Sequence, residues 1–267
     1  MSSGARTEVD QARLPPFRAL LAVQVASAAL FGLGPLLLTG VFASVTGYSG
    51  NDPIIYRLAG ASTFGYAVVA ALALAGVSWQ AYRIAAIGSA TFAGAAAIGC
   101  LFTIAEGDSR WVVLFVLVAA GAFTLISAYW LQRDEGGPVD PGRPVLPPFR
   151  IVLGLATLSA AVFGVLPLLV PGLFAQVFGL AGTDHFIFRM AGAATFGYAV
   201  AGVFEMRAAG FGLIRLQNLA AITFNALGFL VSAWDIASGG RSLLAPLILL
   251  AAGFFTVGLP FLARRHA

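Results

Sequence analysis

Eight stretches of this 267-residue chain stay predominantly apolar for nineteen to twenty-five positions, and that leaves few folds open. They lie near 17–38, 54–78, 84–105, 111–131, 149–170, 186–206, 216–234 and 243–262. About 20 helical residues cross the ~30 Å hydrocarbon core of a bilayer. Backbone amides inside lipid must pair within their own segment, so each stretch is predicted as a transmembrane α-helix. Composition agrees: 60% of residues are hydrophobic and 10% charged, where a soluble domain carries about 25% charged residues.

The chain also repeats itself. Leu14-Pro15-Pro16-Phe17-Arg18 recurs as Leu146-Pro147-Pro148-Phe149-Arg150, an offset of 132. Phe31-Gly32 and Pro35-Leu36-Leu37 recur at Phe163-Gly164 and Pro167-Leu168-Leu169. From Arg57 to Val68, ten of twelve positions equal those from Arg189 to Val200. Three blocks in one register predict a tandem duplication of a four-helix unit. The expected layout is a polar tail 1–16, a first repeat 17–131, a Gly/Pro-rich linker 132–145, a second repeat 146–263 and a tail 264–267. Phe17 to Leu38 is too long for a signal-peptide core and reads as a retained anchor. The pieces 41–48 and 173–180 are too short to cross and are expected as interfacial turns.

Arginine placement orients the chain. All 15 basic residues are arginine, a bias that fits a GC-rich bacterial genome. With the N-terminus inside, eleven arginines fall on inner segments and four (Arg57, Arg110, Arg189 and Arg241) on outer ones. The positive-inside rule then puts both termini in the cytoplasm, as expected for a multi-pass inner-membrane protein. Trp79 and Trp130 fall at inner ends and Trp111 and Trp234 at outer ends, as an aromatic belt requires. Four spans return the chain to its starting side, so the repeats are parallel. The fold expected is an all-α membrane protein, eight transmembrane helices in two parallel tandem four-helix repeats. Over one motif, Arg-x-x-Gly at Arg57 to Gly60 and Arg189 to Gly192, the unit resembles small four-helix bacterial membrane proteins of the DoxX-like kind. That resemblance implies no site residue.

The second helix of each half carries most of the candidate chemistry. Asp52 and Asp184 precede it and read as N-caps, with Pro53 at the first helical position. Arg57 and Arg189 follow near the outer boundary; they either snorkel to headgroups or form a paired grip on an anion. Tyr66 and Tyr198 lie about 13.5 Å deeper. With Thr63 and Thr195 they either bond carbonyls freed by Pro35 and Pro167 on the first helix or line a midplane cavity. Ala61 with Gly65, and Ala193 with Gly197, are small-residue pairs suited to close helix packing. The stripe Ser89, Ala93, Ala97 predicts third helices packed inside their own bundles.

The halves differ in polarity. Glu205, Arg207, Asn218 and Asn225 stand where the first half has Ala73, Ala75, Ala86 and Ala93. Polar side chains inside a span are costly and therefore functional candidates. Glu205 is the first choice for a proton-handling group unless Arg207 or Arg215 neutralises it.

Several chemistries are excluded. Cys100 is alone, so there is no disulfide or thiolate cluster. His185 and His266 are the only histidines, and no metal-ligand spacing, phosphate loop or dinucleotide fingerprint occurs. No cofactor is expected, and the scattered arginines make no nucleic-acid surface. Three functions remain open. The first is binding or translocation of a small or lipophilic solute in a cavity between the repeats. The second is a non-catalytic accessory or scaffold role beside a membrane-protein partner. The third is an enzyme acting on a lipid or isoprenoid with Glu205 or Asp235 as acid. The balance leans away from catalysis, and the lipid bilayer is the one partner common to all three.

Overall fold

The computed structural model describes residues 15–133 and 141–264. The N-terminal tail up to residue 14, residues 134–140 of the linker and residues 265–267 lie outside the described residues. Ten α-helices and no strands occur among those described. They are α1 (Pro15–Leu37), α2 (Thr39–Thr46), α3 (Pro53–Leu74), α4 (Trp79–Ala105), α5 (Trp111–Gln132), α6 (Pro147–Leu169), α7 (Pro171–Phe178), α8 (His185–Arg207), α9 (Phe211–Ala237) and α10 (Leu244–Ala263). All but α2 and α7 are long and apolar enough to span a bilayer, which makes the chain a multi-pass membrane protein.

Two boundaries differ from expectation. The pieces predicted as turns are short helices, α2 and α7. Each ends at a left-handed glycine, Gly47 (φ 81°) or Gly179 (φ 67°). The amides of Gly47 and Tyr48 then satisfy the last carbonyls of α2, which ends it cleanly. The third span of each half also starts five residues early. Trp79 begins α4 after an N-cap Ser78, whose Oγ accepts from Ala81 N, and Phe211 begins α9.

α3 and α8 form the centre and are the most buried spans. α1 lies along α3, and α6 along α8. Contact is close enough that a methyl on Gly60 would strike the Gly32 carbonyl and Leu36, and one on Gly192 the Gly164 carbonyl and Leu168. The third helices then exchange partners. α4 packs on α8 of the second half, α9 packs on α3 of the first, and α4 scarcely meets α3. The expectation that third helices pack within their own bundle is thus corrected: the halves are interlaced. Gly88 of α4 faces Ala201 and the Gly197 carbonyl of α8, while Gly65 of α3 faces the Ala220 carbonyl of α9. Small residues on both helices permit that approach.

The bundle has two ends, here named the terminal face, where α1 starts and α10 finishes, and the clasp face, which carries α2 and α7. At the terminal face Phe17 meets Trp79, Trp130 and Tyr82 at centroid distances of 5.0, 5.4 and 6.2 Å. Trp79 and Trp130 are buried, so these two predicted belt residues sit inside the bundle. Trp111 and Trp234 at the clasp face are exposed.

Candidate functional site

The clasp face holds the two aspartates that the sequence reads as N-caps. Both occupy the N-cap position, yet neither side chain caps its helix. Each reaches across to the other half instead. Asp52 accepts from Ala181 N (2.7 Å) and Gly182 N (2.8 Å). Asp184 accepts from Ser49 N (3.1 Å), Gly50 N (2.9 Å), Ser49 Oγ (2.9 Å) and Tyr56 Oη (2.7 Å). Burial pushes the Asp184 carboxyl up, but the bonds from Tyr56, Ser49 and Gly50 outweigh it and hold the group below its ordinary range.

The arginines make cross-half contacts too. Arg189 is buried on α8 and pairs through both Nη atoms with Glu106 at the end of α4. It also donates to Thr103 Oγ1 at 2.9 Å. The hydrogen bond from Arg189, with a smaller one from His185, pulls the Glu106 carboxyl down to about 2. Arg57, half-buried on α3, lies over the Trp234 ring at 5.8 Å beside Asp235 of α9. The pair predicted to grip an anion is therefore divided between two internal partners. The bidentate Arg189–Glu106 pair leaves Nε as its unbonded nitrogen.

At mid-depth Tyr66 and Tyr198 meet directly, ring centroids 4.6 Å apart. Tyr66 donates to the Ala194 carbonyl and Tyr198 to the Ser62 carbonyl, each at 2.9 Å. Gly65 and Gly197 make room for these hydroxyls: a methyl on either would collide with the opposite tyrosine's oxygen. The carbonyls expected to receive them, on the proline-bent first helices, are not their partners. Thr195 Oγ1 donates to Ala191 O on its own helix (2.8 Å).

Because the tyrosine pair fills the middle, the space lies to either side and not between the halves as expected. One cavity of about 280 Å³ is enclosed by α1, α3, α4 and α5, with the start of α8. Phe31, Phe42, Phe92, Phe115, Phe123 and Phe186 line it, and no charged residue does so among the described residues. Its polar lining is Gln24, Ser27, Thr63, Tyr66 and Ser89. Gln24 donates to Ser89 Oγ (2.9 Å) and accepts from Tyr82 Oη (2.8 Å). Thr63 has no hydrogen-bond partner among the described residues.

This cavity has a side opening. α1 and α5 scarcely approach one another, whereas their counterparts α6 and α10 do pack. The gap is bridged by Phe17 with Trp130 at the terminal face and by Phe31 stacked on Phe115 (5.9 Å) toward the clasp face. Those phenylalanines of α1 stand about 21 Å apart along the helix. Between them Val23, Ser27 and Ala119 are exposed at the cavity rim, which leads from the surface that faces lipid.

A second cavity, about 80 Å³, lies at the matching place among α6, α8, α9 and α10. Tyr198, Thr195, Asn225 and Glu205 line it. Asn225 bonds Ala221 O of its own helix (2.7 Å), and Asn218 donates to Glu205 Oε1 (2.8 Å). The expected neutralisation of Glu205 by Arg207 or Arg215 does not occur; both arginines are exposed and Glu205 is buried. Asp235 lies at the far end of α9, by the clasp face, so the two candidate acids belong to opposite ends.

Of the residues singled out by sequence, Tyr198, Thr195, Asn225 and Glu205 line one space. Thr63 and Tyr66 belong to another. Sequence reasoning missed Gln24, Ser89 and Tyr82 as a cluster, although a lone amide in the first span was a usable signal. It also missed Glu106, hidden in a short loop. The chain matches no family model, no curated protein and no solved structure.

Proposed function

We propose that this chain binds or passes an uncharged lipophilic molecule that reaches the larger cavity sideways from the bilayer. The observation that carries the reading is the cavity of about 280 Å³, walled by phenylalanines and free of charged lining, beside the α1–α5 gap. Ligand sites are concave, mostly apolar and marked by a few polar groups that fix orientation. Here Thr63 and the Gln24–Ser89 pair serve that purpose. An ionised ligand would lie among side chains with no countercharge to offer, so a neutral one is favoured.

The surrounding architecture is read as two parallel repeats born of gene duplication in a bacterial inner-membrane protein, with both termini cytoplasmic. The arginine bias and the 132-residue offset support this. So do the paired contacts: Asp52 to residues 181 and 182 mirrors Asp184 to residues 49 and 50, and Tyr66 to Ala194 mirrors Tyr198 to Ser62. A two-fold relation generates contacts in such pairs.

The test is chemical. Protein purified in mild detergent is extracted with organic solvent and the extract compared, by mass spectrometry, with that from an Ala93→Phe variant. A neutral lipophile at near-equimolar amount in the parent and depleted in the variant supports the proposal. Equal lipid in both, together with a co-purifying membrane-protein partner, favours the scaffold role instead.

A further inference from the structure

The smaller cavity matches the larger in position and opposes it in chemistry. Glu205, Gln217, Asn218 and Asn225 stand where the first half has Ala73, Ala85, Ala86 and Ala93. Glu205 is 4% exposed and Gln217 1%. The carboxylate has one hydrogen-bond partner, Asn218 Nδ2, and no basic side chain pairs with it among the described residues. Two buried carbonyl oxygens, Gln217 Oε1 and Asn218 Oδ1, have no donor among the described residues. Gln217 and Glu205 line the same cavity of about 80 Å³. At roughly 30 Å³ per molecule, that is room for two or three waters.

We infer that this cavity is a proton-binding site, in which Glu205 holds a proton and shares it, directly or through cavity water, with Gln217 Oε1. An ionised carboxylate only accepts hydrogen bonds, so it deepens a shortage of donors already present in the two orphaned carbonyls. Protonation reverses this. One Glu205 oxygen gains an O–H bond, the hydronium that delivered the proton leaves as water, and the carboxylic acid becomes a donor. Neutralisation also removes an uncompensated charge from a membrane span.

The charged groups on the packed elements do not alter this. Arg207 on α8, Arg150 on α6, Arg83 on α4 and Arg215 on α9 are exposed toward the terminal face. Arg57 on α3 and Asp235 on α9 belong to the clasp face, and α7 and α10 contribute no charge. The phenols of Tyr66, Tyr82 and Tyr198 are engaged with Ala194, Gln24 and Ser62. Glu205 lies in the last turn of α8, which ends at Arg207, a short route for a proton from water at that face.

Infrared difference spectroscopy on the full chain in lipid nanodiscs, titrated from acid to alkaline pH, tests the assignment. The expected result is a carboxylic-acid C=O band at neutral pH that bleaches on alkalinisation and is missing in Glu205→Gln. In Gln217→Leu, which keeps Glu205, the band should persist at higher frequency because its acceptor is gone. A neutral-pH spectrum without a Glu205 carboxylic-acid band overturns the proposal. So does loss of that band when sodium replaces choline in the buffer, which makes the cavity a metal-cation site. Neither outcome bears on the lipophilic ligand of the other cavity, which extraction reads separately.

Discussion

The rings of Tyr66 and Tyr198 lie 4.6 Å apart, and each hydroxyl bonds a carbonyl on the other's helix. The contact works as a spacer between α3 and α8, and Gly65 and Gly197 leave the room that the opposite tyrosine's hydroxyl occupies. Removing one hydroxyl leaves an acceptor that already has its helical bond. Tyr198→Phe should therefore cost only about 1 kcal/mol, the usual net value of a hydrogen bond. Gly65→Ala should cost more, about 1–3 kcal/mol, because it forces the Tyr198 ring off its seat. Thermal unfolding in detergent ranks the two. Equal effects would mean that the helices are not held at this spacing.

Acid should open the clasp face first. Glu106, lowered from 4.5 to about 2 chiefly by Arg189, and Asp184, lowered from 3.8, both have folded values beneath their unfolded ones. The stability they contribute is complete above the unfolded values and disappears as pH falls through the folded ones. These two groups should thus contribute no pH dependence from neutral pH to about 5 and lower the unfolding temperature below that. Glu106→Gln should flatten the part between 4.5 and about 2, the window of that group. Glu106 is half exposed, so solvent screening keeps its share small. A profile unchanged in both Glu106→Gln and Asp184→Asn would assign the acid sensitivity elsewhere.

Much of the fold was legible because hydropathy and length decide spans. The interlacing was not. α3 and α8 share ten of twelve residues over Arg57 to Val68 and Arg189 to Val200, so the small stripe on α4 fits either one there by composition, and sequence offers no means of choosing. Asp52 and Asp184 were misread for a related reason. An aspartate just before a helix satisfies the local capping rule, while the amides it meets are some 130 residues away. Polarity singled out some of the residues that line the cavities, but their division into two spaces depends on the tyrosine pair closing the middle.

The two arginines, equivalent in sequence, should behave differently. Arg189 is 2% exposed and makes a bidentate pair, whereas Arg57 is half-buried and rests on an indole. Arg189→Ala should cost about 2–3 kcal/mol, less than a fully buried pair because Glu106 regains water when its partner goes. Arg189→Lys should recover little of this, since an ammonium does not reproduce the planar fork. Arg57→Ala should cost about 1 kcal/mol or less. Denaturation of the three variants side by side gives the order, and a rescue by lysine would show that charge alone matters.

Equivalent cavities of unequal size make one substitution diagnostic. Ala120 lines the larger space and Ala252, its counterpart at the 132-residue offset, lines the smaller. Both are alanines on the outermost helix of their half, so chemistry and helix propensity cancel. Ala120→Phe places a ring into about 280 Å³ among other phenylalanines. It should bury apolar surface at about 25 cal/mol per Å² and leave ligand-free protein as stable as the parent or more so. Ala252 is 4% exposed beside about 80 Å³. A phenyl group there must push α10 from α9 or crowd Glu205, at about 1–3 kcal/mol. The same Ala120→Phe protein should lose its extractable lipophile, and Ala252→Phe should keep it. Opposite signs of the stability change, together with that divergence in bound lipid, follow only if the first half holds the ligand. Matching effects from both substitutions would mean that the two spaces are alike in the folded protein.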